Sequence, residues 1–475
     1  MLGILRPEWL SAAAQVVTRT SFRALDWFFI LSVSGFLVFS LVLALGPWGR
    51  IVLGKDGDKP EFSTTSWLAM LFSAGMGAGL LFWGAAEPVM HFSNPPLGEP
   101  FSPEAARQAM LITTFHWGLQ AWAVYAVGAL VLAYFSFRLG TPYLAGGPIR
   151  AGYTGRWVEP VAKMADFVAV LAVAFGVAGS MGMGALQLHT GLHVALGVPL
   201  DSTLVSVGIL LTLIVAYMIS ATTSLDKGIR ILSNLNMGVA IGLLLFLLVV
   251  GPSAFLLRSF VTTMGDYASG IVGISLSLFP YRELSGWLQG WTLTYFIWWI
   301  AWAPFVGIFI ARISKGRTIR EFVLAVLFAP TLFSMLWFSV FGGTAIYEDT
   351  RGGGGIAALV NQDVTTALFT LMDRMPLTPV LYVACLLLIF VFLVTSVDSA
   401  TYVLGMLTSK GSMVPPTRRK VAWGLTLGGM GGALLLSGNV RAVQAVAISG
   451  AIPFTFVLLL QCGALIRALR KEGRS

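Results

Sequence analysis

Apolar runs long enough to cross a bilayer follow one another along almost the whole chain, separated by short polar segments. A spanning helix needs about 20 such residues. The pattern predicts eleven, near residues 27–46, 65–86, 107–137, 163–187, 203–221, 231–256, 288–311, 322–344, 377–408, 421–438 and 442–466. The stretch 258–287 carries Arg258, Asp266, Arg282 and Glu283 among apolar residues. It is too polar to span and reads as a helix lying in the membrane interface. Composition points the same way: 475 residues that are 57% hydrophobic and 11% charged, with a mean hydropathy of +0.83, carry more apolar surface than a soluble core can bury. The expected fold class is an all-α polytopic membrane protein.

The net charge of +9 could suggest a nucleic-acid partner, but the basic residues sit in short clusters between apolar runs. Alternate loops hold Arg50, Lys55 and Lys59; Arg138, Arg150, Arg156 and Lys163; Lys227 and Arg230; Arg312, Lys315, Arg317 and Arg320; Lys410, Arg418, Arg419 and Lys420; and Arg467, Arg470, Lys471 and Arg474, which is 21 of the 30 Lys and Arg. The positive-inside rule makes these loops cytoplasmic and puts the carboxyl terminus inside, in a cell (plasma) membrane, with membrane lipid and no nucleic acid as partner. The first 26 residues carry Arg6, Arg19 and Arg23 around a short apolar patch, which is not a cleavable signal peptide. The short loops leave no room for a nucleotide-binding fold, and no Walker-type Gly-Lys-Ser/Thr loop is present. Cys385 and Cys462 lie in apolar runs without metal-ligand spacing and read as packing residues.

Three segments depart from ordinary spanning helices. In 291–311, Trp298, Trp302, Phe305 and Phe309 recur at i, i+4, i+7 and i+11 on one face, beside Trp299. Spanning-helix tryptophans usually gather in interfacial belts, whereas an aromatic face inside a bundle offers ring quadrupoles to a quaternary ammonium; helix packing with interfacial anchors is the alternative. Ser73-Ala74-Gly75-Met76-Gly77-Ala78-Gly79 puts three alternate glycines in mid-span. They weaken a helix by about 1 kcal/mol each and open its backbone to a ligand or cavity, or else Gly75 and Gly79 form a small-residue packing seam. In the next helix Trp117, Tyr125 and Trp122 fall at about 0, 80 and 140 degrees on a helical wheel, a broad aromatic wall.

These residues, together with Trp298-Trp299-x-x-Trp302 and the following Ala311-Arg312-Ile313-Ser314-Lys315-Gly316-Arg317-Thr318-Ile319-Arg320-Glu321-Phe322, resemble the betaine/choline/carnitine transporter family from about Asp26 to the last helix, and are closest in motif to its sodium-coupled glycine betaine carriers. The resemblance implies a leucine-transporter-like core of two inverted five-helix repeats with substrate near the membrane midplane. The repeats fall at 65–256 and 288–466. They are preceded by an N-terminal segment, 1–64, with one spanning helix, linked by the interfacial helix at 257–287, and followed by a short tail, 467–475. It also implies a homotrimer. The family's aromatic box falls on Trp117, Trp122, Tyr125 and Trp299, with Trp302 at the substrate's carboxylate end and Trp298 and Phe305 along the path. Gly75, Met76, Gly77 and Gly79 approach the substrate through their backbone. Choline-selective relatives carry an aspartate at the position of Gly79, so glycine there favours a zwitterion such as glycine betaine over a lone cation.

No cofactor is expected beyond a coupling ion. The resemblance implies a sodium site made of the carbonyls of Ser73, Met76 and Phe392 with the hydroxyls of Thr395 and Ser396. Sodium takes such neutral oxygens, which hydroxyls and an unwound backbone can supply. A threonine-serine pair in a spanning helix otherwise back-bonds to the preceding turn. Asp398, ionisable within a span, is a further functional candidate, or a structural partner for backbone donors. Two departures stand out. Val173 and Val177 replace the threonines of a second sodium site, and the helix lacks the arginine of sodium-independent carnitine exchangers. The start, Met1-Leu2-Gly3-Ile4-Leu5-Arg6-Pro7, resembles only the end of an additional family helix. The short carboxyl tail lacks a basic regulatory extension. Choline, carnitine or another betaine moved with protons or by exchange is the alternative function. A receptor or an enzyme is a rival of another class. Against an enzyme, the four histidines His91, His116, His189 and His193 contain one i, i+4 pair without an intervening glutamate, and read as loop or helix-end residues.

Overall fold

The computed structural model describes residues 7–75, 77–222, 226–436 and 440–472. Among these, regular structure is helical throughout, apart from one isolated antiparallel bridge between Val52 and Thr318. In chain order the helices that matter are α1 (Pro7–Leu45), α2 (Thr64–Gly75), α3 (Ala78–Ser93), α4 (Pro103–Trp117), α5 (Leu119–Ala133), α6 (Val158–Leu196), α7 (Thr203–Thr222), α8 (Asp226–Val250), α9 (Ser253–Ser275), α10 (Thr294–Ile313), α11 (Ile319–Arg351), α12 (Ile356–Gln362), α13 (Ala367–Asp373), α14 (Thr378–Leu407), α15 (Thr417–Leu436), α16 (Val440–Ser449) and α17 (Phe454–Glu472).

Nine helical segments among the described residues are long and apolar enough to cross a membrane, which makes the chain an all-α polytopic membrane protein. Of the eleven segments expected, 65–86 is two helices, α2 and α3, rather than one. The span at 421–438 is α15, which begins with three basic residues and carries five glycines, and it is not one of the nine. The first helix starts at Pro7 instead of about residue 27, with a kink at Leu25 (φ −131°, ψ 19°). Residues 1–6, which carry most of the likeness to the end of an extra helix, lie outside the described residues. The sixth span stops at Val250 because Gly251-Pro252 follows, and proline can only continue as the opening of another helix. The stretch expected to be interfacial, 258–287, accordingly begins within α9 and continues past its end at Ser275. The helix buries Leu256, Thr263, Tyr267 and Ser275, and Arg107 reaches across from α4 to Asp266 at 2.5 Å.

Local chemistry sets the helix ends. Ser102 caps α4 by accepting from the Ala105 amide at 3.0 Å, ahead of Pro103 and Glu104. Thr318 and Glu321 form a reciprocal capping box at the start of α11. The loop before it and the first turn of α11 tie α10 and α11 to α1 and to the start of α2: Arg317 donates to the Phe62 carbonyl at 2.7 Å and lies 4.6 Å from the centre of the Trp67 ring, the Trp67 indole donates to Ser314 Oγ at 3.0 Å, and Arg320 donates to the Ala44 carbonyl at 2.9 Å. At the middle of the molecule α10 packs along α5 and α6, α11 along α3, and α14 along α6.

Candidate functional site

Between these central helices lies a cavity of about 750 Å³, within the range of small-molecule sites. One end is aromatic. The other reaches Arg312, Tyr402 and Lys420, at the end of the molecule where the basic loops lie.

The backbone break at the aromatic end follows from the glycines. α2 stops at Gly75 and α3 begins at Ala78, with Gly77 extended (φ −155°, ψ 175°) and its carbonyl accepting from Leu80 and Leu81 at 3.1 and 3.4 Å. Gly77 and Gly79 line the cavity. A Cβ on Gly79 would lie 3.4 Å from the outer edge of the Trp117 indole, so the ring stands about one methyl group away from the backbone. The segment is interrupted, as the alternating glycines suggest, and is no continuous packing seam. Met76 lies outside the described residues. A second break falls at Gly118, where a Cβ would meet the Thr114 carbonyl oxygen at 2.4 Å and the Tyr267 hydroxyl at 2.8 Å. The span expected to run unbroken over 107–137 therefore turns between Trp117 and Trp122, and a single helical wheel does not relate them.

Trp299 joins the two sides. Its ring centre lies 4.8 Å from that of Trp117 and 6.0 Å from that of Tyr125, edge to face in both cases, and 6.0 Å from Tyr295 in a stacked pair. Trp122 meets Tyr125 at 5.5 Å, again edge to face. All five rings line the cavity, and Trp298, Trp302, Phe305 and Phe309 continue the wall. Every aromatic position expected at the site is therefore in one place, with Trp302 against Phe305 at 5.4 Å.

Phe392, Thr395, Ser396 and Asp398 of α14 line the same cavity. The Thr395 hydroxyl donates to the carbonyls of Val391 at 2.9 Å and Phe392 at 3.2 Å. That is the back-bonding arrangement, and it leaves the oxygen's lone pairs available to a cation. Asp398 accepts from Ser220 of α7 at 2.8 Å, so its partner is a hydroxyl rather than a backbone donor. Val177 lines the cavity and Val173 is buried beside it on α6. Ser73 lies within α2, two residues before its end.

Behind the aromatic wall sits a group of residues whose role the sequence did not disclose. Glu87 of α3 is fully buried, and one of its carboxylate oxygens accepts from the Trp117 indole at 2.7 Å and the Tyr295 hydroxyl at 2.5 Å. The other oxygen lies 2.6 Å from His116 Nδ1 and 3.5 Å from His91 Nε2. His116 Nε2 meets the Thr292 hydroxyl at 2.9 Å, and the His116 carbonyl accepts from the Trp299 indole at 2.8 Å. His91 and His116 do stand in the last turns of α3 and α4, but both are buried against this carboxylate. Among the described residues, Glu87, His91 and His116 are the group whose ligand atoms lie close enough, within 4.8 Å, to share a metal ion. The signal for Glu87 was present: an ionisable residue inside an apolar run marks function by the same rule that picks out Asp398. Tyr295 stands one turn before Trp299 and shares its face.

A model of the BCCT, betaine/carnitine/choline family transporter, matches residues 1–474. The glycine betaine transporter OpuD of Bacillus subtilis (strain 168) is 44% identical over 474 residues, which cover 99% of this chain and 92% of that protein. The ectoine/hydroxyectoine transporter of Virgibacillus pantothenticus is 42% identical over 480 residues, covering 99% of this chain and 94% of its own. The glycine betaine transporter of Acinetobacter baylyi (strain ATCC 33305 / BD413 / ADP1) is 38% identical, covering 99% of this chain and 71% of its own. With a family match over essentially its whole length and an aromatic cavity among helices that span a membrane, this chain belongs to the betaine/carnitine/choline family of transporters and is not an enzyme.

Proposed function

We propose that this protein is a symporter that imports glycine betaine or a close zwitterionic analogue together with sodium. The observation that carries the reading is the convergence of Trp117, Trp122, Tyr125 and Trp299 on one end of the cavity, beside a glycine at position 79. A trimethylammonium group forms no hydrogen bonds, so ring faces are the groups that recognise it. A glycine at 79 leaves the substrate's carboxylate unopposed. The Bacillus and Acinetobacter relatives, both glycine betaine transporters, support the same substrate.

For the ion, the hydroxyls of Thr395 and Ser396 and the carbonyl of Phe392 supply neutral oxygens on the cavity wall, and the family resemblance assigns the carbonyls of Ser73 and Met76 to the same set. Val173 and Val177 offer no second set, so one sodium accompanies each substrate. Under the positive-inside rule the basic end of the cavity faces the cytoplasm, and the arrangement is open inward. The two inverted repeats, 65–256 and 288–466, then exchange this opening for an outward one around a fixed site, within a homotrimer.

The Virgibacillus relative favours a second substrate: ectoine is also a zwitterion with a weakly hydrated cation, and 42% identity places it as near as the betaine carriers. Uptake of labelled glycine betaine, ectoine, choline and carnitine into proteoliposomes, under imposed sodium or proton gradients, tests both readings. Sodium-dependent accumulation of glycine betaine is expected. Preferential ectoine uptake would transfer the assignment to the second reading, and proton-driven choline uptake would overturn both.

A further inference from the structure

Glu87 and His91 stand four residues apart on one face of α3, and His116 reaches them from the last turn of α4. All three are buried, and none of them lines the substrate cavity. One member is left over from the hydrogen bonding of the other two. His91 is 1% exposed, yet neither of its ring nitrogens has a hydrogen-bond partner among the described residues. Burial in that condition costs about 1–3 kcal/mol per unsatisfied group, and a partner from outside the chain relieves it. His91 Nε2 lies 3.5 Å from a carboxylate oxygen of Glu87. That is long for a hydrogen bond, but close to the roughly 3.4 Å between two ligands that each stand about 2.1 Å from a tetrahedral ion. The outward atoms of the other two are held as those of metal ligands are. The second Glu87 oxygen accepts from the Trp117 indole at 2.7 Å and the Tyr295 hydroxyl at 2.5 Å, and His116 Nε2 meets the Thr292 hydroxyl at 2.9 Å. Glu87 Oε1 and His116 Nδ1 are thereby turned toward each other, 2.6 Å apart.

We infer that Glu87, His91 and His116 bind one divalent ion of the zinc class, a structural clamp that joins α3 to α4 behind the aromatic wall. Two imidazoles and one carboxylate suit zinc and its neighbours in the first transition series, and do not suit magnesium, calcium or sodium. Ligation by Glu87 Oε1, His91 Nε2 and His116 Nδ1 releases the proton that joins the Glu87–His116 contact. The three ligand atoms already lie within 4.8 Å of one another, so the side chains move by about 1 Å to reach bonding distance. The ion has a short way in. α3 ends at Ser93, two residues past His91, and the loop that follows, 94–102, carries Glu99 and no Lys or Arg. The other histidine pair at the same spacing, His189 and His193 on α6, is differently placed, because its rings meet the carbonyls of Pro199 at 3.1 Å and Val198 at 2.8 Å. A clamped His116 also holds its carbonyl, and with it the Trp299 indole at 2.8 Å, so the ion steadies the cage without touching what the cage binds.

The test is metal binding by the full-length protein, purified without a polyhistidine tag and stripped with a chelator. Zn²⁺ is titrated by calorimetry and its effect on the thermal midpoint is measured. Co²⁺ is titrated by visible absorption, because a tetrahedral Co²⁺ ion absorbs far more strongly than the aqueous one. The wild type is expected to bind one Zn²⁺ per chain, to gain in thermal midpoint because the ion binds the folded state, and to give the strong Co²⁺ bands. Mg²⁺ and Ca²⁺ at the same concentration should do neither. His91→Phe keeps a ring against Trp291, 4.3 Å away, and removes both nitrogens. Since His91 makes no hydrogen bond, the metal-free variant should fold with a midpoint no lower than that of the metal-free wild type. It should bind Zn²⁺ at least about 100-fold more weakly, since loss of an outer contact alone costs about 10–100-fold. If it fails to fold, Glu87→Gln, whose amide oxygen still accepts from Trp117 and Tyr295, provides the same loss. The double variant His189→Gln, His193→Gln should bind as the wild type does. A wild type that binds no Zn²⁺ overturns the proposal, as does binding that survives in His91→Phe or Glu87→Gln. Binding lost only in the His189, His193 variant overturns it in favour of that pair.

Discussion

Trp299 is the residue on which the cage closes, because it touches Trp117, Tyr125 and Tyr295 and is itself held by the His116 carbonyl. A desolvated ring contributes about 2 kcal/mol to holding a quaternary ammonium, which corresponds to about 30-fold in affinity. Trp299→Ala should therefore weaken glycine betaine binding by about 30-fold. Trp299→Phe should retain part of it, since a ring face remains while the indole donor to His116 is lost. Equilibrium binding to the purified variants checks this, and unchanged affinity in Trp299→Ala would remove the residue from the site. Gly79 governs the other end of the same contact. Its Cα faces the edge of Trp117 at a distance that admits a methyl group without displacement, so Gly79→Ala should cost little. Gly79→Asp places a negative charge beside the aromatic cage, next to Trp117. It should weaken glycine betaine and admit choline, because the new charge repels the one and pairs with the other. Competition of both compounds against labelled glycine betaine measures the exchange, and a folded Gly79→Asp variant with wild-type preference would show that this backbone does not set selectivity.

Helices follow from the sequence more readily than their interruptions do. Apolar run length located the spans, since a bilayer imposes it, and the alternating glycines located the break between α2 and α3. Gly118 gave no such signal, because one glycine in an apolar run is compatible with an unbroken helix; the close approach of the Thr114 carbonyl and the Tyr267 hydroxyl, which makes it necessary, exists only in the folded chain. The aromatic wall was legible because tryptophan is rare enough in mid-span for its position to be informative. The role of Glu87 was not, although a carboxylate in an apolar run marks the position, because its partners come from α4 and α10 and no local spacing announces them. Glycine also explains α15. Gly424, Gly428 and Gly432 recur every four residues along it, and a Cβ on each would lie 2.4–2.6 Å from side chains of α7: Met218, Tyr217 and Leu210. This is a small-residue seam of the kind that brings spanning helices into contact. Gly428→Leu would drive its side chain into Tyr217 and Ile214, and overpacking of that kind costs about 1–3 kcal/mol. A lowered thermal midpoint in detergent is expected, whereas Gly208→Ala, at a position where a Cβ meets open space, should leave it unchanged or slightly raised. Equal midpoints for the two variants would mean that the seam contributes nothing.

At the scale of the whole molecule, one cavity connects the aromatic cage, the hydroxyls of α14 and the basic end, so the proposed symport would hold substrate and sodium in one compartment and could release them together. Their coupling is then a matter of charge. Glycine betaine is neutral overall, and a single sodium entering with it carries one net charge. That charge gains about 2.3 kcal/mol per 100 mV of membrane potential, enough for about fiftyfold accumulation before the sodium gradient is counted. A second sodium would double the electrical term, but Val173 and Val177 have no oxygen to offer it. Uptake into proteoliposomes should accordingly be electrogenic, with a sodium Hill coefficient near one. The double variant Thr395→Ala, Ser396→Ala should lose sodium-driven accumulation, because it removes two oxygens of the ion site. Its binding of substrate at the cage should fall less, because the rings are untouched. A Hill coefficient near two would require ligands that this account does not contain, and full uptake in sodium-free buffer under a proton gradient would move the coupling from α14 to a titrating group.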